Sequence, residues 1–122
     1  MALQETARHA RKQGMIVIFD GKRNDIGSTA EAYANAYLSV DEQRAGDEAS
    51  SAWEVDAITI NTYLGSDGVN PFLEAAGHSE KGVFALVRTS NPSAGEFQDI
   101  VADGKPLYRH VADRVVDWAE RY

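Results

Sequence analysis

Three charged side chains, Asp20, Lys22 and Asp25, follow a short apolar run in the pattern D-x-K-x-x-D. Carboxylates and an amine are groups that proteins use for proton transfer and for stabilising charge. Because side chains alternate along an extended chain, Asp20 and Lys22 are expected on the same side, close enough for an ion pair. The pattern occurs by chance in roughly 0.03 chains of this size. A functional role is therefore favoured over a solvated loop with weak surface ion pairs.

The apolar run before these charges is β-branched and aromatic, without polar alternation. It predicts a strand over Met15–Asp20 that is buried on both faces, as in a parallel sheet. The carboxyl end of such a strand is where α/β folds place their chemistry. Ser28 and Glu31 have the spacing of a capping box, so a helix is expected to begin there and complete a βα unit.

The rest of the chain continues this alternation. Further strands are predicted over Ala57–Asn61 and Val83–Arg88. Helices are predicted over residues 2–13, 30–38, 47–53, 66–74 with an end near Gly77, and 106–121, and a loop is predicted over residues 91–105. Strands that alternate with helices favour the α/β class with a parallel sheet.

Extended by Ile26 and Thr29, the motif reads D-x-K-x-x-D-I-x-x-T and resembles the signature of the orotidine 5'-phosphate decarboxylase family. Two later segments, Asp56–Gly65 and Val87–Ala94, resemble the fourth and fifth strands of the longer bacterial branch of that family. The D-x-K-x-x-D core alone is shared with sugar-phosphate decarboxylase relatives. Ile26, Thr29 and the turn at residues 90–92 favour the orotidylate enzymes.

The resemblance implies a partial TIM (β/α)₈ barrel, roughly the third to fifth β/α units with parallel strands. A complete barrel takes about 250 residues, whereas this chain has 122. The first helix has no strand before it and the last helix has none after it. One partial barrel domain over residues 1–122, truncated at both ends, is therefore expected.

The resemblance also implies catalytic roles for the three charged residues. Asp20 would face the substrate carboxylate, and Lys22 would stabilise the developing carbanion and then protonate carbon C6 as a general acid. Asp25 would reach across a homodimer interface into the active site of the neighbouring chain. No cofactor is expected, because preorganised charge replaces an electron sink.

Three further residues are candidates for binding the nucleotide substrate. By resemblance Thr29 would contact the ribose and Ser90 the pyrimidine edge, and Asn61 at a strand end could line the pocket. Local explanations remain open, because Thr29 could serve helix capping and Ser90 could be a polar residue before an Asn-Pro turn.

The match to the family has gaps. A lysine expected upstream, and a phosphate-binding loop and an arginine expected downstream, are outside this chain, and Thr62 stands where proline is expected. Because phosphate binding supports catalysis, the isolated chain is expected to be inactive. Two alternatives stay open: a sugar-phosphate decarboxylase or aldolase relative that binds Mg²⁺, and a non-catalytic half-barrel with exposed strand edges.

The composition argues against several other classes. The chain has 12 basic and 19 acidic residues, a formal charge of -7 and no cysteine. Without a basic stripe, nucleic acid is not an expected partner. Neither a membrane span nor a signal peptide is apparent, so a cytoplasmic location without membrane association is expected. No metal site is indicated, and His9, His78 and His110 are expected on the surface.

Overall fold

The computed structural model describes residues 2–39, 53 and 55–122 of the chain. Helices and strands alternate through most of it. The elements are α1 (Ala2–Lys12), β1 (Ile18–Arg23), α2 (Gly27–Leu38), β2 (Ala57–Asn61), α3 (Ser66–Ser79), β3 (Gly82–Leu86), a 3-10 helix (Pro92–Glu96), β4 (Val101–Ala102), β5 (Lys105–Pro106) and α4 (Leu107–Ala119). The helix predicted over residues 47–53 lies outside the described residues, apart from Trp53.

The strands β1, β2 and β3 form one parallel sheet in that order. Pairing of β2 with β3 runs without interruption from Ala57 opposite Gly82 to Asn61 opposite Leu86. Parallel neighbours need a crossover connection, and α2 and α3 lie in those two connections. The α/β class with a parallel sheet is therefore confirmed, and the carboxyl ends of the three strands meet at one edge.

The core lies between one face of the sheet and the helices α2 and α3. It contains Ile58 and Ile60 of β2, which are fully buried, together with Leu38 of α2 and Phe72 of α3. Since Ile58 and Ile60 are two residues apart they share one face of the strand, and Thr59 lies on the opposite face. The helices thus cover one face of the sheet.

The strand β1 differs from the prediction in position and in burial. It begins at Ile18 rather than Met15, and it includes Lys22. Its side chains alternate between exposed and half-buried, and Ile16 before it is 80% exposed. The prediction of burial on both faces is wrong because β1 is an edge strand whose second face is not covered by the described helices. Asp20 therefore belongs to the strand itself.

The helix α2 begins at Gly27, and the predicted capping box is wrong. Ile26 occupies the N-cap position, and no side chain caps the helix. The carboxylate of Asp25 accepts a hydrogen bond of 2.9 Å from the backbone N–H of Ile26. The turn before the helix is therefore closed by Asp25 rather than by Ser28.

Smaller differences concern the second half of the chain. The helix α3 continues beyond Gly77 to Ser79, and Glu80 follows as its C-cap residue with a left-handed φ of 55°. The segment predicted as a loop contains the 3-10 helix and the hairpin of β4 and β5. None of the described helices is long and apolar enough to cross a membrane.

Candidate active site

Asp20 and Lys22 form an ion pair on the uncovered face of the sheet. The Lys22 Nζ atom lies 2.6 Å from Oδ1 and 2.7 Å from Oδ2 of Asp20. The predicted ion pair is therefore confirmed, and both side chains are exposed. Lys22 has a φ of 44°, in the left-handed region. For a residue other than glycine this conformation costs roughly 1–3 kcal/mol and persists only where the surroundings hold it.

A strand irregularity surrounds this pair. Phe19 pairs with Ile58 and Arg23 pairs with Ile60. Three residues of β1 therefore lie opposite a single residue of β2, which is Thr59. Such irregularities redirect side chains and are common beside active sites.

The hydroxyl of Thr59 contacts both members of the ion pair. It accepts a hydrogen bond of 2.9 Å from the backbone N–H of Lys22, and it donates one of 2.8 Å to Oδ1 of Asp20. Thr59 was not among the residues predicted from the sequence. Its signal was a polar side chain within an otherwise apolar stretch of β2, on the same face as Asn61.

These contacts keep the carboxyl group of Asp20 ionised. The hydrogen bond from Lys22 is the main cause of its lowered pKa, and the hydrogen bond from Thr59 is the second. Hydrogen bonds to the charged form of a carboxyl group favour that form. At neutral pH the site therefore places a negatively charged carboxylate beside an ammonium group that can donate a proton.

Asp25 and Thr29 do not join this pair within one chain. Asp25 follows β1, and its carboxylate bonds the adjacent N–H of Ile26. Thr29 is exposed in the first turn of α2. In the described part of the chain, no hydrogen bond connects either residue to Asp20 or Lys22. Both roles remain predictions.

The carboxyl ends of β2 and β3 are joined by a threonine. Thr62 is buried, and its hydroxyl donates a hydrogen bond of 2.8 Å to the carbonyl of Leu86. Asn61 is half-buried and accepts a hydrogen bond of 2.9 Å from the N–H of Tyr63. It lines a cavity of about 410 Å³ between the two strand ends and the start of α4.

Ser90 is exposed in a loop that its neighbours hold in place. Arg88 donates hydrogen bonds of 2.9 and 2.8 Å to the two carboxylate oxygens of Asp99. The side chain of Gln98 accepts from the N–H of Thr89 at 2.8 Å and donates to its hydroxyl at 2.9 Å. These four residues fix the chain on one side of Ser90, but its contact with a substrate remains a prediction.

The ring nitrogens of His78 and His110 contact backbone carbonyl oxygens, those of Glu74 and Ala102, rather than Asp20 or Lys22. His9 and His78 are exposed as predicted, whereas His110 is half-buried with Nε2 2.7 Å from the carbonyl oxygen of Ala102. Among residues 2–39, 53 and 55–122, no three His, Cys, Asp or Glu side chains are grouped to hold a metal ion.

The fold and the pair together define a class of protein. Parallel strands joined by helices, with charged side chains at a carboxyl end, are the arrangement of α/β barrel enzymes. Residues 3–119 match the sequence model of the "Orotidine 5'-phosphate decarboxylase / HUMPS family", and the chain belongs to that family.

Individual relatives agree. The orotidine 5'-phosphate decarboxylase of Rhodopirellula baltica is 47% identical over 117 residues, which are 96% of this chain and 37% of that protein. That of Caldicellulosiruptor saccharolyticus is 45% identical over 118 residues, or 97% of this chain and 38% of that protein. The structure of the OMP decarboxylase from Leishmania donovani matches with a TM-score of 0.75 and 34% sequence identity. The match covers 93% of this chain and 39% of the Leishmania chain. These relatives are (β/α)₈ barrels, and this chain spans less than two fifths of their length. The predicted partial (β/α)₈ barrel is therefore confirmed.

Proposed function

We propose that this chain supplies the central part of the active site of an orotidine 5'-phosphate decarboxylase. The reaction converts orotidine 5'-phosphate into uridine 5'-phosphate and CO₂ in pyrimidine nucleotide biosynthesis. The observation that carries the proposal is the Asp20–Lys22 ion pair, held within the D-x-K-x-x-D motif at the end of β1. Membership of the family and the names of the relatives support it.

The chemistry follows from the two charges. The bond between C6 and the carboxylate breaks, CO₂ leaves, and the electron pair of that bond stays on C6. The Lys22 ammonium stabilises this negative charge and then donates its proton to C6, which completes the product. Asp20 holds the ammonium in place, and the lowered pKa of Asp20 keeps its carboxyl group ionised throughout the reaction. No electron sink is needed, because fixed charge stabilises the carbanion directly.

Other residues complete the proposed site. Thr29 contacts the ribose, Ser90 bonds the pyrimidine edge and Asn61 lines the pocket. Asp25 serves the neighbouring chain of a homodimer. The carboxylate of Asp25 bonds the N–H of Ile26, whereas Lys22 bonds Asp20, and this difference in partners supports that assignment. The absence of cysteine is compatible with a reducing compartment, so the proposed location is the cytoplasm.

A chimera tests the reaction in a complete barrel. Residues 3–119 of this chain replace the matching segment of the Rhodopirellula baltica enzyme. We expect the chimera to consume orotidine 5'-phosphate, measured as a change in ultraviolet absorbance. Lys22→Ala should lower kcat/KM by about 10²–10⁴-fold, the usual contribution of a positioned general acid.

The matched control is Lys105→Ala, which also removes a lysine from an ion pair with an aspartate, Asp113. It should leave turnover within about twofold, since surface ion pairs contribute little. A folded chimera without turnover, or one that Lys22→Ala leaves active, would reject the proposal. Turnover of a sugar phosphate that stops when EDTA removes Mg²⁺ would favour the sugar-phosphate alternative.

Mixing two inactive chimeras tests the shared site. Lys22→Ala and Asp25→Ala each disable both sites of a symmetric dimer. If Asp25 acts across the interface, each mixed dimer contains one intact site, and random exchange should restore about one quarter of the parent activity. If Asp25 acts within its own chain, every site in the mixture carries a defect and no activity returns.

A further inference from the structure

We propose that Thr59 is a positioning residue of this site. Its hydroxyl fixes the backbone at Lys22 and aims the carboxylate of Asp20 at the Lys22 ammonium. The catalytic consequence of this inference rests on the proposed decarboxylase function. The positioning itself is a statement about the free protein and can be tested without substrate.

The two hydrogen bonds of Thr59 have a fixed polarity. The backbone N–H of Lys22 can only donate, at 2.9 Å, and an ionised carboxylate of Asp20 can only accept, at 2.8 Å. The single hydroxyl proton of Thr59 must therefore point at Asp20. One oxygen atom thus orients the backbone of the proposed proton donor and the carboxylate that holds it.

The strand irregularity explains why a side chain is needed here. Regular parallel pairing stops between Phe19 and Arg23, opposite Thr59. A backbone N–H that leaves the ladder needs another acceptor. The Thr59 hydroxyl provides that acceptor for Lys22, at the residue whose φ of 44° is unfavourable. The bond therefore stabilises the conformation that places Asp20 and Lys22 side by side.

A purely structural role for Thr59 makes a different prediction. Threonine is common in strands because its branched side chain suits a pleated surface. If only that mattered, Thr59→Val would be harmless, since valine has nearly the same shape and also favours strands. If the hydroxyl matters, Thr59→Val should disturb Asp20 and Lys22, whereas Thr59→Ser should not.

The experiment uses the chimera with Thr59→Val, Thr59→Ala and Thr59→Ser. Carbon-13 NMR follows the titration of the Asp20 carboxyl group, and hydrogen exchange follows the amide of Lys22. In the Val and Ala variants we expect the Asp20 titration to move to higher pH and the Lys22 amide to exchange at least about tenfold faster. The Ser variant should resemble the parent. As a control, Thr62→Val removes the hydroxyl of the residue that follows β2. It should leave both the Asp20 titration and the Lys22 amide exchange unchanged.

Turnover supplies the second readout. Misplacement of a catalytic group by about 1 Å can cost on the order of 100-fold in rate, so Thr59→Val should lower kcat by 10- to 100-fold with a smaller change in KM. Rescue by Thr59→Ser would assign the loss to the hydroxyl.

The outcomes separate this inference from the proposed function. Unchanged NMR readouts in Thr59→Val and Thr59→Ala, or a Ser variant as disturbed as they are, would overturn the positioning role even if the chimera is active. Shifted NMR readouts in a chimera without turnover would support the positioning role and reject the decarboxylase.

Discussion

Arg23 donates a hydrogen bond of 3.2 Å to the hydroxyl of Tyr37 on the face of β1 opposite to Lys22. Its guanidinium carbon lies 4.9 Å from the ring centroid of Tyr33 and 5.5 Å from that of Phe19. The rings of Phe19 and Tyr37 are stacked, with centroids 4.5 Å apart. Because neighbouring strand residues share their backbone, anchoring Arg23 on this face restrains Lys22 on the other.

The aromatic contacts of Arg23 lead to the first prediction. Arg23→Lys should lower the free energy of unfolding by about 1–2 kcal/mol, because an ammonium cannot stack on the rings as a planar guanidinium does. Tyr37→Phe keeps the stacked ring and loses only the hydrogen bond, so it should cost about 0.5–1.5 kcal/mol. Urea unfolding of the chain measures both. An Arg23→Lys variant as stable as the parent would contradict the role of the rings.

The ion pair of Asp20 makes stability depend on acid pH. Its folded pKa lies below the ordinary value of 3.8, mainly through the hydrogen bond from Lys22 and then through Thr59. A depressed carboxyl pKa adds stability above the unfolded value, and that stability is lost as pH falls through the folded value. Asp20→Asn should therefore be less stable than the parent at pH 7, and the difference should disappear in strong acid.

Urea unfolding across that pH range checks the prediction. The pKa of Asp99 is also lowered, chiefly by the hydrogen bond from Arg88, so the parent curve contains its contribution too. Asp99→Asn is the matched control, and since the two ion pairs share no residue their effects should add. A constant difference between Asp20→Asn and the parent down to pH 2 would refute the assignment to ionisation.

The sequence was informative where local rules decide the structure. Alternation along a strand was enough to place Asp20 and Lys22 on one side, and their ion pair is present. The strand–helix rhythm predicted the parallel sheet, because parallel neighbours require a crossover. These features depend on residues close together in the chain.

The features that the sequence did not predict depend on distant residues. The hydroxyl of Thr59 donates a hydrogen bond to Asp20, which lies 39 positions earlier, and the local sequence does not indicate that contact. One face of β1 is exposed because no described helix covers it, and an apolar run in the sequence does not indicate which elements will cover a strand. The capping box at Ser28 failed because Asp25 closes the preceding turn one residue before the helix N-cap.

Lys81 gives a prediction at alkaline pH. Its ammonium lies 3.3 Å from the carbonyl oxygen of Tyr37, near the ion pair of Arg11 and Asp56. Burial, and after it the charge of Arg11, lower the pKa of Lys81 to about 8, although the charge of Asp56 acts in the opposite direction. The unfolded chain, with an ordinary pKa of 10.5, binds that proton more tightly. Stability should therefore rise as pH increases from about 8 to 10.5.

Lys81→Met isolates this effect. It should be more stable than the parent at pH 7, where burial of the charge is unfavourable, and the advantage should shrink as the pH rises. Urea unfolding at several pH values between 7 and 10.5 measures the difference. Lys12→Met, at an exposed lysine of α1, is the control and should show no such trend. Parallel curves for Lys81→Met and the parent would contradict the prediction.

Two glycines of α3 should respond in opposite ways to the same substitution. A Cβ atom on Gly68 would lie 3.0 Å from the carbonyl oxygen of Asp25 and 3.3 Å from the Cβ of Leu64. Gly68 is buried, so the backbone at Asp25 must move to make room. Gly68→Ala should cost about 1–3 kcal/mol of stability, as overpacking does. In the chimera it should also reduce kcat/KM, because it displaces the carboxylate proposed to serve the neighbouring site.

Gly77→Ala is the matched control on the same helix. Its Cβ would meet only the carbonyl oxygen of Tyr122, at 4.0 Å, and the position is exposed. Because alanine favours a helix over glycine, this variant should gain about 0.5–1 kcal/mol. Thermal unfolding of both variants and turnover of both chimeras provide the comparison. If Gly68→Ala gained stability as Gly77→Ala does, the contact between α3 and the Asp25 turn could not be what positions that carboxylate.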